Sequence, residues 1–78
     1  MLVAVVEEIW PWPEREDTNP SVIGPVDAAD GYSAARQLAK ARAERFDRHG
    51  YEGDARYDYW WGRNEGTDVL HRYVIRAS

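Results

Sequence analysis

Only one stretch of this chain repeats its apolar residues with the period of a helix, and that limits the fold more than any other feature. Projected at about 100° per residue, Ala35, Ala39, Ala43 and Phe46 fall on one arc with Leu38 at its edge, while Arg36, Gln37, Lys40, Glu44, Asp47 and Arg48 fall opposite. Asp30 or Ser33 is placed to cap the start, and Gly50 to stop the end in a left-handed turn. Arg42 lies within the apolar arc and is expected to carry its charge past the edge of the core. A single helix covers one face of one sheet, and its small alanines suit a close approach to bulky strand residues.

Strand patterns occupy the rest. Residues 2–10 are rich in Val, Leu and Ile and end at Trp10, after which Pro11 and Pro13 forbid continuation as a central strand. Residues 11–20 mix turn formers with charge and read as a loop. Ser21 to Ala28 carries Val22, Ile23 and Val26 but is interrupted by Gly24-Pro25, which predicts a short edge strand beside the first. Tyr57-Asp58-Tyr59-Trp60-Trp61 leads into a turn at Asn64-Glu65-Gly66, so a hairpin is expected, with Ala55, Tyr57, Tyr59 and Trp61 on one face and Arg56, Asp58 and Trp60 on the other. The last strand, about 67–76, sets Val69, His71, Tyr73 and Ile75 against Leu70, Arg72, Val74 and Arg76. The predicted class is α+β: residues 1–78 as one domain, an antiparallel sheet of three to four strands with one helix on one face, in the order ββαββ or βαββ. The hairpin aromatics are expected under the helix, and the opposite face, with some of Trp60, Leu70 and Val74, open to water or a partner.

At 78 residues the core is modest, and self-association or binding would add stability, so a homodimer through the open face or an unpaired edge is expected. The absence of cysteine leaves no disulfide and no thiolate metal site, in keeping with a reducing, cytoplasmic compartment. The apolar opening residues 1–6 meet Glu7-Glu8 far short of a membrane span. Charge is segregated within a net −4. Residues 1–30 hold Glu7, Glu8, Glu14, Glu16, Asp17, Asp27 and Asp30 against Arg15, whereas residues 31–49 hold Arg36, Lys40, Arg42, Arg45 and Arg48 against Glu44 and Asp47. An acidic lobe of this kind favours a basic partner surface over free nucleic acid.

No set of residues specifies a reaction, and neither an enzyme nor a cofactor is expected. His49 and His71 lie on different elements without carboxylates at metal-ligand spacing, and Glu7 and Glu8, adjacent on a strand, point to opposite faces. The glycines form no phosphate-cradling pattern. Trp61-Gly62-Arg63 spells the tripeptide that names the nicked-DNA-sensing domain of poly(ADP-ribose) polymerases, but that family places its helix after the motif, and here it comes before. Nucleic-acid binding through Arg36, Lys40, Arg45 and Arg48 is an alternative, weakened by Glu44 and Asp47 on the same face. The aromatic surplus, 4 Trp and 5 Tyr, implies that some rings meet another molecule. The candidate protein-binding residues are Trp10, Trp12 and Trp60 as anchors, with Glu14, Glu16 and Asp17 as an acidic rim.

An acidic, cysteine-free single domain of this length, with a strand, an acidic loop, an alanine-rich helix and a terminal aromatic hairpin, resembles the small anti-CRISPR proteins that phages and mobile elements direct against CRISPR–Cas complexes. The resemblance is one of general plan over the whole chain. It implies a non-enzymatic inhibitor in the bacterial host cytoplasm that occupies a basic nucleic-acid-binding surface on a Cas effector subunit and keeps target DNA out, with no direct DNA binding of its own. The alternatives are a small nucleic-acid-binding or regulatory protein using the basic helix and a homo-oligomeric assembly protein.

Overall fold

The computed structural model describes residues 1–13, 18–53 and 58–77. The strands are β1 (Leu2–Pro11), β2 (Ser21–Asp30), β3 (Arg48–Gly53), β4 (Asp58–Arg63) and β5 (Val69–Ala77), with α1 (Tyr32–Ala43) between β2 and β3. All pairings are antiparallel, and the strands make one five-stranded sheet in the order β2-β1-β5-β4-β3. The α+β class and the single helix on one face hold. The expected strand number does not, because β3 is a fifth strand.

That strand reads Arg-His-Gly-Tyr-Glu-Gly and has neither an apolar face nor β-branched residues. It exists because β4 offers it a full register, from Arg48 opposite Arg63 to Gly53 opposite Asp58. β2 is an edge strand beside β1, as its Gly24-Pro25 interruption predicts, but it runs ten residues by bulging around the interruption. Proline at an edge leaves no central ladder bond unmade.

The helix starts and stops differently from the sequence expectation. Its N-cap is Gly31, at φ 96°, and no side chain caps it. The Asp30 carboxylate instead pairs with the N-terminal ammonium at 2.8 Å, and Gly31 N–H donates to the Met1 carbonyl. At the other end the helix closes at Ala43, and Gly50 lies within β3. Ala35, Ala39 and Ala43 are fully buried against Val3, Val5, Tyr73 and Ile75, with Val26, Ala29, Phe46 and Trp60 packed around them. Methyl side chains let the helix lie low on the sheet. Arg42 behaves as expected: its guanidinium leaves the core edge to bond the Asp27 carboxylate and the Val26 carbonyl.

Registers decide which residues lie under the helix. Val5 is opposite Ile75, and Trp60 is opposite Tyr73, so Trp60, Tyr73 and Ile75 share the helix face with Val3 and Val5. Successive residues alternate, which sends Tyr59, Trp61 and Arg63 of β4 to the helix-free face with Leu70, Arg72, Val74 and Arg76 of β5 and Glu8 and Trp10 of β1. The expectation that Trp60 faces outward is therefore corrected, and so is the placement of Tyr59 and Trp61 under the helix. The reason is Gly62, also on the helix side: it abuts Phe46 and the Ala43 carbonyl, and only a position without a side chain admits the end of the helix so closely.

Candidate functional site: the helix-free face

Leu70 and Val74 lie on the side of the sheet with no helix, yet both are buried. Among the described residues, rings and arginines stand beside them: Leu70 shares a cleft with Trp12, Tyr59, Trp61 and Arg72, and Val74 lies opposite Tyr59. The Arg72 guanidinium is held between two rings, 4.3 Å from the Trp10 centroid and 4.8 Å from that of Tyr59. Arg63 lies 4.6 Å over Trp12. Cation–ring stacking of this kind stabilises by roughly 0.5–2 kcal/mol each and keeps both partners flat on the surface. The Trp61 indole lies across Gly50 of β3, where an added Cβ would sit 2.8 Å from the ring. Edge-strand glycine thus makes room for an outward-facing tryptophan.

Trp10 is fixed a second time. Its indole N–H donates to Glu8 at 3.1 Å, and the other Glu8 oxygen accepts from Arg76 at 3.4 Å. Glu8 is 8% exposed, so its charge is spent inside the protein on these bonds. Trp12, beyond the end of β1, is tied by its backbone N–H to the Asp68 carbonyl at 2.8 Å and remains 37% exposed. Between Trp12, Glu52, Tyr59, Trp61, Leu70 and Arg72 lies a half-open cleft of about 190 Å³. Its walls are mostly apolar, with one cation within and one carboxylate at the rim.

Of the residues named from sequence, the structure brings Trp10 and Trp12 onto one surface and places Trp60 on the other side of the sheet, beneath Lys40, whose ammonium lies 5.7 Å from the ring. Glu14, Glu16 and Asp17 lie outside the described residues. The remaining acids of residues 1–30 do not form a free acidic lobe: Glu7 faces His71, Glu8 serves Trp10 and Arg76, Asp27 holds Arg42 and Asp30 holds the N-terminus. The basic set is dispersed too. Arg36 pairs with Asp58, while Arg45 and Arg48 lie past the end of the helix, Arg48 on β3 and paired with Glu65. Sequence reasoning missed Tyr59, Trp61, Arg63 and Arg72 as a group. The signal was present as the alternate positions Tyr59, Trp61 and Arg63 of one strand, and as Arg72 and Arg76 on one face of its partner.

On the helix side a second, shallower depression is lined by Arg36, Gln37, Lys40, Tyr51 and Trp60. Arg36 and the Tyr51 hydroxyl both bond Asp58, at 2.8 and 2.7 Å. Burial works to raise the Asp58 pKa, but these two hydrogen bonds outweigh it and hold the carboxyl below its usual range. Tyr73 is pushed well up by burial and by Glu7. Among the described residues no three His, Asp or Glu side chains gather in a way that would hold a metal, and no helix is long and apolar enough to cross a membrane. No family model, no curated protein and no solved structure matches this chain.

Proposed function

We propose that this protein works by binding rather than by catalysis, and that the helix-free face of its sheet is the contact surface. The observation that carries the reading is the interleaving on that face of Trp10, Trp12, Tyr59 and Trp61 with Arg63 and Arg72, with no secondary-structure element of the described residues over them. Trp, Tyr and Arg dominate binding hot spots because they bury much area with few rotors. Here Trp10, Trp12 and Tyr59 are already stacked on arginines, so these side chains have less entropy to lose on contact. The test is retention of material from a lysate of the source cells on immobilised protein, with protein and nucleic acid both assayed. Arg63→Glu should abolish retention, and Arg45→Glu, in the turn after α1, should leave it intact. Equal retention by the parent and both variants would move the contact elsewhere.

A second reading keeps the anti-CRISPR plan, with a Cas effector subunit as partner. The exposure of Trp12 favours it, since an anchoring ring immediately before Glu14, Glu16 and Asp17 in sequence matches an acidic rim around an aromatic centre. Reversing those three acids to Lys should slow association with a basic nucleic-acid-binding surface most at low salt, whereas Trp12→Ala should speed dissociation. Folded variants that inhibit as the parent does would eliminate this reading.

A further inference from the structure

We infer that the ligand of the helix-free face is single-stranded nucleic acid, an inference that rests on the reading of that face as the contact surface. Single strands are bound by aromatic rings on which bases stack and by cations that follow the phosphates, and this face supplies both within three adjacent strands. Trp10 on β1, Arg72 on β5 and Tyr59 and Trp61 on β4 lie side by side, with strands spaced about 4.8 Å apart. Arg63 and Trp12 continue the surface at one end, and Arg76 and Arg48 stand on it farther out, bonded to Glu8 and Glu65, so that among the described residues four arginines face Glu8, Glu52 and the Glu65 that Arg48 holds. Glu8 is buried on its own hydrogen bonds and does not confront a ligand. The cleft between Trp12, Trp61 and Tyr59, about 190 Å³ and apolar over an arginine, suits one flat heterocycle.

The net charge of −4 is not an obstacle. Of its described acids, Glu7, Asp27 and Asp58 are matched to His71, Arg42 and Arg36, and none of these three is on the aromatic face. Exposed charges more than about 8 Å away are largely screened at physiological ionic strength, so the charges on the face itself, with Arg63 and Arg72 beside the rings, weigh most in the potential that a strand meets. A duplex presents its phosphates but hides its base faces, and a broad, ring-covered sheet face does not enter a groove. The discrimination is therefore for unpaired bases.

Fluorescence anisotropy with a labelled oligo-dT of about twelve nucleotides, oligo-rU of that length and a duplex of that length tests this on the whole chain, within the range of site sizes that single-strand binders occupy. Both single strands should bind and quench tryptophan emission, with the duplex at least tenfold weaker. For two to three phosphates neutralised, raising salt from about 50 to 200 mM should weaken single-strand binding roughly 7- to 18-fold. Arg63→Glu and Trp12→Ala should each weaken it about tenfold or more, Trp12→Phe should restore most of the loss, and Arg45→Glu should change it less than twofold. Circular dichroism on each variant separates misfolding from lost contact, and the Trp12→Phe rescue does so within the binding data. No quenching and no anisotropy change at about 100 µM protein in low salt, or a duplex bound as tightly as the single strands, overturns the inference. If the oligonucleotides fail while Arg63→Glu still abolishes retention from lysate, the ligand class is wrong and the surface is right. If both fail, the surface itself is wrong.

Discussion

Gly62→Ala should destabilise this protein far more than the same change at Gly53, although both glycines are in strands and both would gain a methyl group. At Gly62 the new Cβ would stand 2.8 Å from the Phe46 ring carbon Cγ and 3.0 Å from the Ala43 carbonyl oxygen, with a still closer approach to Phe46 Cδ2. The carbonyl belongs to the last turn of α1 and cannot yield without lifting the helix whose Ala43 is fully buried. At Gly53 the close atoms are the tip of Tyr51, a 44% exposed side chain that swings away. Overpacking against a fixed group costs about 1–3 kcal/mol, while Gly to Ala in a strand returns roughly 0.5–1 kcal/mol of backbone entropy. Gly62→Ala should therefore lose about 1–2 kcal/mol net, and Gly53→Ala should be near neutral, because the weakened Tyr51–Asp58 bond offsets the same entropy gain. Urea unfolding followed by tryptophan fluorescence reads this directly. With a slope of about 1 kcal/mol/M for a domain of this size, the Gly62→Ala midpoint should fall by about 1–2 M. A midpoint within about 0.3 M of the parent would mean that the helix end is not seated against β4, and the argument for the facing of Tyr59 and Trp61 would go with it.

Arg42→Ala strands the Asp27 carboxylate and the Val26 carbonyl at the core edge and should cost about 1–3 kcal/mol, with the Arg42→Ala/Asp27→Ala double variant less destabilised than the sum; a loss below about 0.5 kcal/mol would show the pair to be ornamental. Because Asp58 titrates lower in the folded chain than unfolded, its contribution is complete above about pH 4 and is lost as pH falls through the folded value. Acidification below about pH 4 should lower the urea midpoint, and Asp58→Asn should flatten that dependence; an unchanged slope in the variant would show that the Arg36 and Tyr51 bonds do not persist in solution. Exposed Val22 and Ile23 mark edge strand β2 as the place where a second copy would pair, so sedimentation up to about 1 mM should show a concentration-dependent dimer that Ile23→Lys removes; a parent that stays monomeric throughout refutes it.

Local pattern carried the elements with a period of their own. The alanines at 35, 39 and 43 recur at one-turn spacing and could only be the buried stripe of a helix, and Pro11 marked the end of the first strand because a chain without an amide donor cannot continue a central ladder. Arg42, inside that stripe, was legible as a charge at the core margin. The strand Arg48–Gly53 was not, since glycines and polar residues form a strand only where a neighbour supplies the register. The proposed contact face was half legible. A period of two states that Tyr59 and Trp61 share a face and Trp60 lies on the other, but it is symmetric between the faces, and only the docking of α1 on Gly62 decides which way they point. Charge followed the same division: composition counts acids and bases by segment, whereas the pairings that consume them, Glu7 with His71 or Asp58 with Arg36, join residues 64 and 22 positions apart. Whether a carboxylate is available to a partner depends on what tertiary contact has already placed beside it, and no local pattern contains that information.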